Sequence, residues 1–151
     1  MKKNFLLFCF GVFGFIGFSQ SNKQVSWTYS AKKIADKTYE VHMTANIGGD
    51  YHLYAQDAGG DGPIPTAFTF SKNPVLSLDG KVKEIGNMVK KFDKTWNHDL
   101  KYYERTVDFV QLVKLKANIR TDLVGKVEFM VCDDRQCLPP ADVDIKVNVG
   151  G

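Results

Sequence analysis

The chain has 151 residues, 20 Lys and Arg against 17 Asp and Glu, and 44% hydrophobic residues, a length that fits one domain with a core of its own. Its formal charge is +3, and residues 1–19 contribute Lys2 and Lys3, so the remainder carries +1. That balance supplies neither a basic face for nucleic acid nor a polybasic patch for a membrane surface.

Residues 1–20 read MKKNFLLFCFGVFGFIGFSQ, with two lysines ahead of an apolar run broken only by glycines. Gly17-Phe18-Ser19 places small residues at −3 and −1 of a cleavage site, so the pattern predicts a secretory signal peptide over 1–19 and one mature domain over 20–151. The apolar run of about 14 residues is short of the ~20 that a spanning helix requires, which disfavours a retained anchor. Cys9 sits too early, behind the bulky Leu6-Leu7-Phe8, to be a lipidation site. The other two cysteines, Cys132 and Cys137, would then reach a compartment where disulfides form.

The mature chain reads as all-β. Residues 25–29 (VSWTY) alternate apolar and polar, and over 39–45 Tyr39, Val41, Met43 and Ala45 share one face while Glu40, His42 and Thr44 share the other. Residues 31–37 between them read as a polar connection. Gly48-Gly49-Asp50 turns the chain into a short aromatic strand, Tyr51-His52-Leu53-Tyr54, and residues 55–65 (AQDAGGDGPIP) must form a loop. Strand character resumes over 66–70 and stops at Asn73-Pro74. Residues 75–85 then read as a hairpin turning at Asp79-Gly80. Residues 92–100 (FDKTWNHDL) read as an exposed loop. One long strand or two follow over 106–117, with Val107, Phe109, Gln111, Val113 and Leu115 on one face, and residues 126–132 and 143–149 complete the set. No window of twelve or more residues carries a helical period, so the expected fold is an antiparallel sandwich or barrel of short strands.

The segment FMVCDDRQCLPP, residues 129–140, holds the chemistry. A disulfide needs Cα atoms within ~4.4–6.8 Å, whereas five extended steps span ~16 Å. The chain must therefore fold back over Asp133-Asp134-Arg135-Gln136, residues suited to a turn. As a staple such a bridge contributes less than one between distant strands: loop entropy gives ~2.2 kcal/mol for six residues against ~4.7 for a hundred. A tight ring does let one thiol resolve a mixed disulfide held by its neighbour, the arrangement exchange chemistry requires. Composition alone leaves staple and redox pair both open. Arg135 would favour a thiolate and Asp133 and Asp134 would oppose one, and Pro139-Pro140 would hold Cys137 at an exposed rim or merely end a strand pairing.

Cys-x4-Cys followed by Leu-Pro-Pro, preceded by the aromatic strand Tyr51-His52-Leu53-Tyr54 after a Gly-rich turn, resembles the amino-terminal periplasmic domain of the thiol:disulfide interchange protein DsbD. The resemblance implies an immunoglobulin-like antiparallel β-sandwich acting as a protein-disulfide reductase module. In it a redox-active cysteine pair takes reducing equivalents from a thioredoxin-like donor domain fed by a membrane reductase. The pair passes them to periplasmic disulfide isomerases and cytochrome c maturation proteins. It implies that Cys137 forms the mixed disulfide and Cys132 resolves it, that Trp96 and secondarily Phe92 cap the pair, and that Tyr54 and His52 shield it. Family members usually carry Phe at the cap, and some carry Tyr where His52 stands. They continue into transmembrane helices and a thioredoxin-like domain, so this chain would be an excised domain or a stand-alone relay. No cofactor is needed, because the sulfurs are the redox groups, and a monomer is expected.

Other constellations are weaker. His42, His52 and His98 beside two cysteines lack zinc-knuckle spacing, and Asp57-Ala58-Gly59-Gly60-Asp61-Gly62 lacks the ligands of a calcium loop, so no metal is expected. Trp27, Tyr51, Leu53 and Phe68 read as core residues. The chief alternative is a non-catalytic secreted binding module with a structural disulfide; a small-molecule-binding β-barrel rests on aromatic content alone.

Overall fold

A computed structural model describes residues 21–151; the signal peptide expected over 1–19 lies outside the described residues. A single helical turn, Ser21–Gln24, leads into β1 (Val25–Ala35), β2 (Thr38–Ile47), β3 (His52–Tyr54), β4 (Ala67–Phe70), β5 (Leu76–Asp93), β6 (His98–Leu115), β7 (Thr121–Phe129), β8 (Val131–Cys132) and β9 (Ala141–Val149). Among the described residues no helix is long and apolar enough to cross a membrane.

Two antiparallel sheets face each other. One runs β4-β7-β9; the other runs β1-β2-β6-β3-β8, with β5 also paired to β6. The register resolves how β6 serves three partners. Its Tyr102 and Tyr103 pair at once with β3 and β5, and residues 107–110 and 112–114 pair at once with β2 and β5. So β5 covers one edge of β6, and β2 and β3 share the other. The fold is an immunoglobulin-like sandwich.

Period-2 alternation builds the core. Val41, Met43 and Ala45 of β2 and Val107, Phe109 and Val113 of β6 are fully buried against Leu123, Val127 and Phe129 of β7 and Ile145, Val147 and Val149 of β9. At ~1.5–3 kcal/mol for each large apolar side chain, this face dominates the stability. An aromatic cluster spans the two sheets: Trp27 meets Phe109, Phe129 and Phe68 with ring centroids 5.8, 5.5 and 6.2 Å apart.

Several local expectations fail, each because a long-range pairing prevails. The polar connection at 31–37 is strand as far as Ala35, with only Asp36-Lys37 turning, because exposed side chains do not stop the backbone from pairing with β2. The hairpin at 75–85 does not form. β5 runs straight through it, and Asp79-Gly80 is a bulge where the register jumps from Asp79↔Leu112 to Lys83↔Val110. Gly80 still adopts φ +71°, and buried Gln111 sends its Nε2 toward the carbonyls of Asp79 and Gly80 at 3.3 Å. The loop at 92–100 shrinks to a turn at 94–97 between β5 and β6, so β6 starts at His98 rather than near 106.

A second irregularity positions the site. Between Gly86↔Val107 and Met88↔Tyr103, β6 spends two more residues than β5, and Arg105 there takes φ +64°. This bulge separates the β2-paired half of β6 from the half that pairs with β3. Beyond it Leu100 and Tyr102 turn away from the main core and pack with Tyr54, Ala58 and Cys132 in a separate small cluster.

Candidate functional site

Cys132 ends β8, held to β3 by the pairs Leu53↔Val131 and His52↔Cys132. The chain then reverses. Asp133 N–H donates to the Gln136 carbonyl at 2.9 Å, and Leu138 N–H to the Val131 carbonyl at 2.9 Å. The Asp133 carboxylate accepts from the amides of Arg135 and Gln136, both at 2.8 Å. Those amides hold the Asp133 carboxyl below the usual carboxylate range. Aspartate at the start of such a turn thus replaces the missing ladder. The result places the Cα atoms 4.0 Å apart, and Cys132 and Cys137 form a disulfide.

The two sulfurs have unlike surroundings. Cys132 is 2% exposed, packed with Tyr54, Leu100 and Tyr102, whereas Cys137 is exposed and its neighbour Leu138 is buried. Of the two residues, Cys137 is the one open to solvent. If a nucleophile attacks there, Cys132 is the leaving sulfur.

The pair opens on a cavity of about 380 Å³ lined, among others, by His52, Tyr54, Phe92, Trp96 and Tyr102. All four auxiliary residues singled out from sequence therefore meet at the cysteines. Trp96 and Phe92 nonetheless remain 45% and 55% exposed. Trp96 sits on the β5–β6 turn, whose amides at Thr95 and Trp96 donate to the Asp93 carboxylate at 2.7 and 3.2 Å. Its ring lies over Gly62, where a Cβ would come within 3.2 Å of it.

The Gly-rich loop at 55–65 is thereby tied to this turn, and other bonds reinforce the tie. His98 places Nε2 2.5 Å from the Asp61 carbonyl and Nδ1 3.0 Å from the Asp99 carbonyl. Carbonyls only accept, so both contacts hold together only in the doubly protonated ring; the Asp61 and Asp99 carbonyls accordingly raise its pKa above 6.5. Lys101 N–H donates to the Ala58 carbonyl at 2.9 Å, and Thr66 Oγ1 to the Tyr54 carbonyl at 2.6 Å.

His52 and Tyr54 stand on the face of β3 that carries the register partner of Cys132. His52 Nε2 lies 3.1 Å from Tyr54 Oη, and its ring packs on Tyr102 with centroids 4.3 Å apart. Burial lowers the His52 pKa below 6.5, against the pull of Glu104, Asp134 and Asp133; Lys91 lowers it further. Burial, with the Asp93 carboxylate, pushes the Tyr54 hydroxyl up to about 12.

Tyr102, Leu100 and Lys91 were not anticipated at the site. The alternation of Leu100 and Tyr102 was available, but it reads as a strand face only once β6 begins at His98. His42 and His98 lie elsewhere: His42 Nδ1 is 2.7 Å from Asp108 Oδ2 on the outer face of β2 and β6. Trp27 and Phe68 pack against the core as expected, and Leu53 is fully buried.

The family profile described as "Thiol:disulfide interchange protein DsbD, N-terminal" matches residues 20–148. Among solved structures, the reduced DsbD amino-terminal domain of Neisseria meningitidis superposes with a TM-score of 0.55 at 16% identity, over 86% of this chain and 89% of that one. The amino-terminal periplasmic domain of ScsB from Proteus mirabilis gives 0.56 at 13% identity, over 82% of this chain and 47% of that one. No curated protein matches the sequence.

Proposed function

This chain belongs to the family of DsbD amino-terminal domains, and on that premise we propose that it relays electrons by thiol–disulfide exchange through Cys132 and Cys137. A thiolate of a thioredoxin-like donor attacks Cys137 Sγ and expels Cys132. The donor's second thiol then attacks its own sulfur in that mixed disulfide, leaving Cys132 and Cys137 as a dithiol and the donor oxidised by two electrons. In the onward step the Cys137 thiolate attacks a disulfide of an oxidised envelope protein, releasing one target thiol. Cys132 attacks Cys137 Sγ, re-forms the bridge and frees the reduced target. Disulfide isomerases and cytochrome c maturation proteins are the proposed targets, in the periplasm, after export directed by residues 1–19. The module acts as a monomer and needs no cofactor.

The observation that carries this reading is the asymmetry of the pair, Cys132 2% exposed and Cys137 exposed at the rim of a cavity. A resolving thiol belongs inside, where no partner can attack it, and the thiol that meets partners belongs outside. Trp96, on the β5–β6 turn, and Phe92, near the end of β5, are the proposed cap, both lining the cavity. The chain's own staple needs no such cavity.

The test is a Cys132→Ser variant expressed in its native envelope and resolved on non-reducing gels. Dithiol-sensitive covalent adducts through Cys137, absent from Cys137→Ser, are expected, and mass spectrometry names the partners. The rival binding module predicts no adducts and full function in Cys137→Ser. A reduction potential below about −300 mV, as inert structural bridges have, would also count for the rival.

A further inference from the structure

His52 is the register partner of Cys132 across β3 and β8. Residues directly opposite in an antiparallel pair project from the same face with Cβ atoms ~4.5–5.5 Å apart. The imidazole is held in place twice over, by Tyr102 against its face and by Tyr54 Oη at Nε2, 3.1 Å away. Its Nδ1 is the ring's second proton site, and His52 lines the same cavity as both cysteines. Cys132 opposite is 2% exposed, in a cluster with Tyr54, Ala58, Leu100 and Tyr102. Such an enclosure disfavours a bare thiolate, yet resolution requires one.

We propose that His52 is the proton acceptor and donor for Cys132, a role specific to this imidazole beside the buried sulfur and resting on the exchange reading above. In ring closure the Cys132 S–H proton passes to His52 as the sulfur attacks Cys137 Sγ. The bond between Cys137 and the partner breaks, the Cys132–Cys137 bond forms, and the partner leaves as a thiolate that takes a proton from water. Imidazolium then returns its proton to solvent. The two electrons given up as the Cys132 and Cys137 thiols are oxidised to the bridge have reduced the partner's disulfide. In the reverse direction a donor thiolate attacks Cys137, and protonated His52 delivers its proton to the departing Cys132 sulfur.

The ring is suited to accept because burial keeps it neutral at pH 7, while Glu104 of β6 and Asp133 and Asp134 of the cysteine turn stabilise the imidazolium once it forms. Lys91 of β5 opposes that charge, and Tyr54 and Tyr102 contribute neutral hydroxyls.

The test uses the reduced protein and glutathione disulfide, with quenched mass spectrometry following the glutathionylated intermediate. In His52→Gln, which cannot accept a proton, ring closure at pH 7 is expected to slow about a hundredfold, the lower end of what a positioned base contributes. Glutathionylation of Cys137, the first step, is timed in the same traces so that closure is read apart from it, and an unchanged urea midpoint shows that the fold is intact. His52→Tyr is expected to behave alike, its hydroxyl being too weak a base. Wild-type closure should fall on acidification through an inflection below pH 6.5 that both variants lack. Wild-type closure rates and an unchanged pH profile in His52→Gln would overturn this role alone. A bridge that no dithiol opens in the wild type would overturn the exchange reading and this role with it.

Discussion

Replacing each cysteine in turn by serine separates the bridge from the burial of its two ends. Both variants lose the constraint of a six-residue ring, ~2.2 kcal/mol by loop entropy. For Cys137→Ser nothing more is lost, because position 137 is exposed and a hydroxyl there stays in water. For Cys132→Ser a hydroxyl replaces sulfur at a site 2% exposed among Tyr54, Leu100 and Tyr102. An uncompensated hydroxyl costs a further ~1–3 kcal/mol in mutational data. With an unfolding entropy of about 2.1 cal/mol/K per residue over roughly 130 residues, 1 kcal/mol is about 4 °C. Cys137→Ser should therefore melt about 8 °C below the oxidised protein, and Cys132→Ser roughly 12–19 °C below it. Urea denaturation of monomeric, gel-filtered variants at pH 7 supplies the free energies. The wild type reduced by a dithiol should match Cys137→Ser to within a few tenths of a kcal/mol. Equal losses in the two variants, or a larger one in Cys137→Ser, would refute the burial asymmetry on which the assignment of attacking and resolving sulfur rests.

The loop that Trp96 leans on offers a second check. Gly59 has φ +112°, and a Cβ there would run into the Asp99 carbonyl, whereas Gly49, at φ +60°, has open space around it. Gly59→Ala is expected to cost more than ~2 kcal/mol and Gly49→Ala about 1 kcal/mol; equal urea midpoints would show that the loop is not seated against β6. His98 makes that seating pH-dependent. Its folded pKa is raised above 6.5 by the Asp61 and Asp99 carbonyls, so its contribution is complete below pH 6.5 and is lost as pH rises through the folded value. Nitrogen NMR of the imidazole should show that raised midpoint, and exchange of the Lys101 amide, bonded to the Ala58 carbonyl, should accelerate above it. A midpoint at or below 6.5 would remove the latch.

How far local pattern reaches can be seen in two strands. β2 shows its buried face in sequence because Tyr39, Val41, Met43 and Ala45 alternate without interruption, and each is buried. β5 hides its nature, because Asp79-Gly80 satisfies a hairpin turn and a bulge equally well. The choice falls to pairing with β6 and to Gln111, which supplies the bulge carbonyls with a donor. At the site the cysteine pair, its turn and the four flanking residues His52, Tyr54, Phe92 and Trp96 were legible from residue types and resemblance. Tyr102 was not, since its face depends on a bulge at Arg105 that no periodicity announces.

Alternation of side chains and the spacing of two cysteines were enough to establish an all-β chain with a ring small enough to exchange its sulfurs. Local chemistry suffices there, because strand faces repeat every second residue and a six-residue ring closes on its own turn. Which sulfur is enclosed, and that an imidazole stands opposite it, came from the pairing of β8 with β3, partners nearly eighty residues apart whose register only the packed sandwich selects.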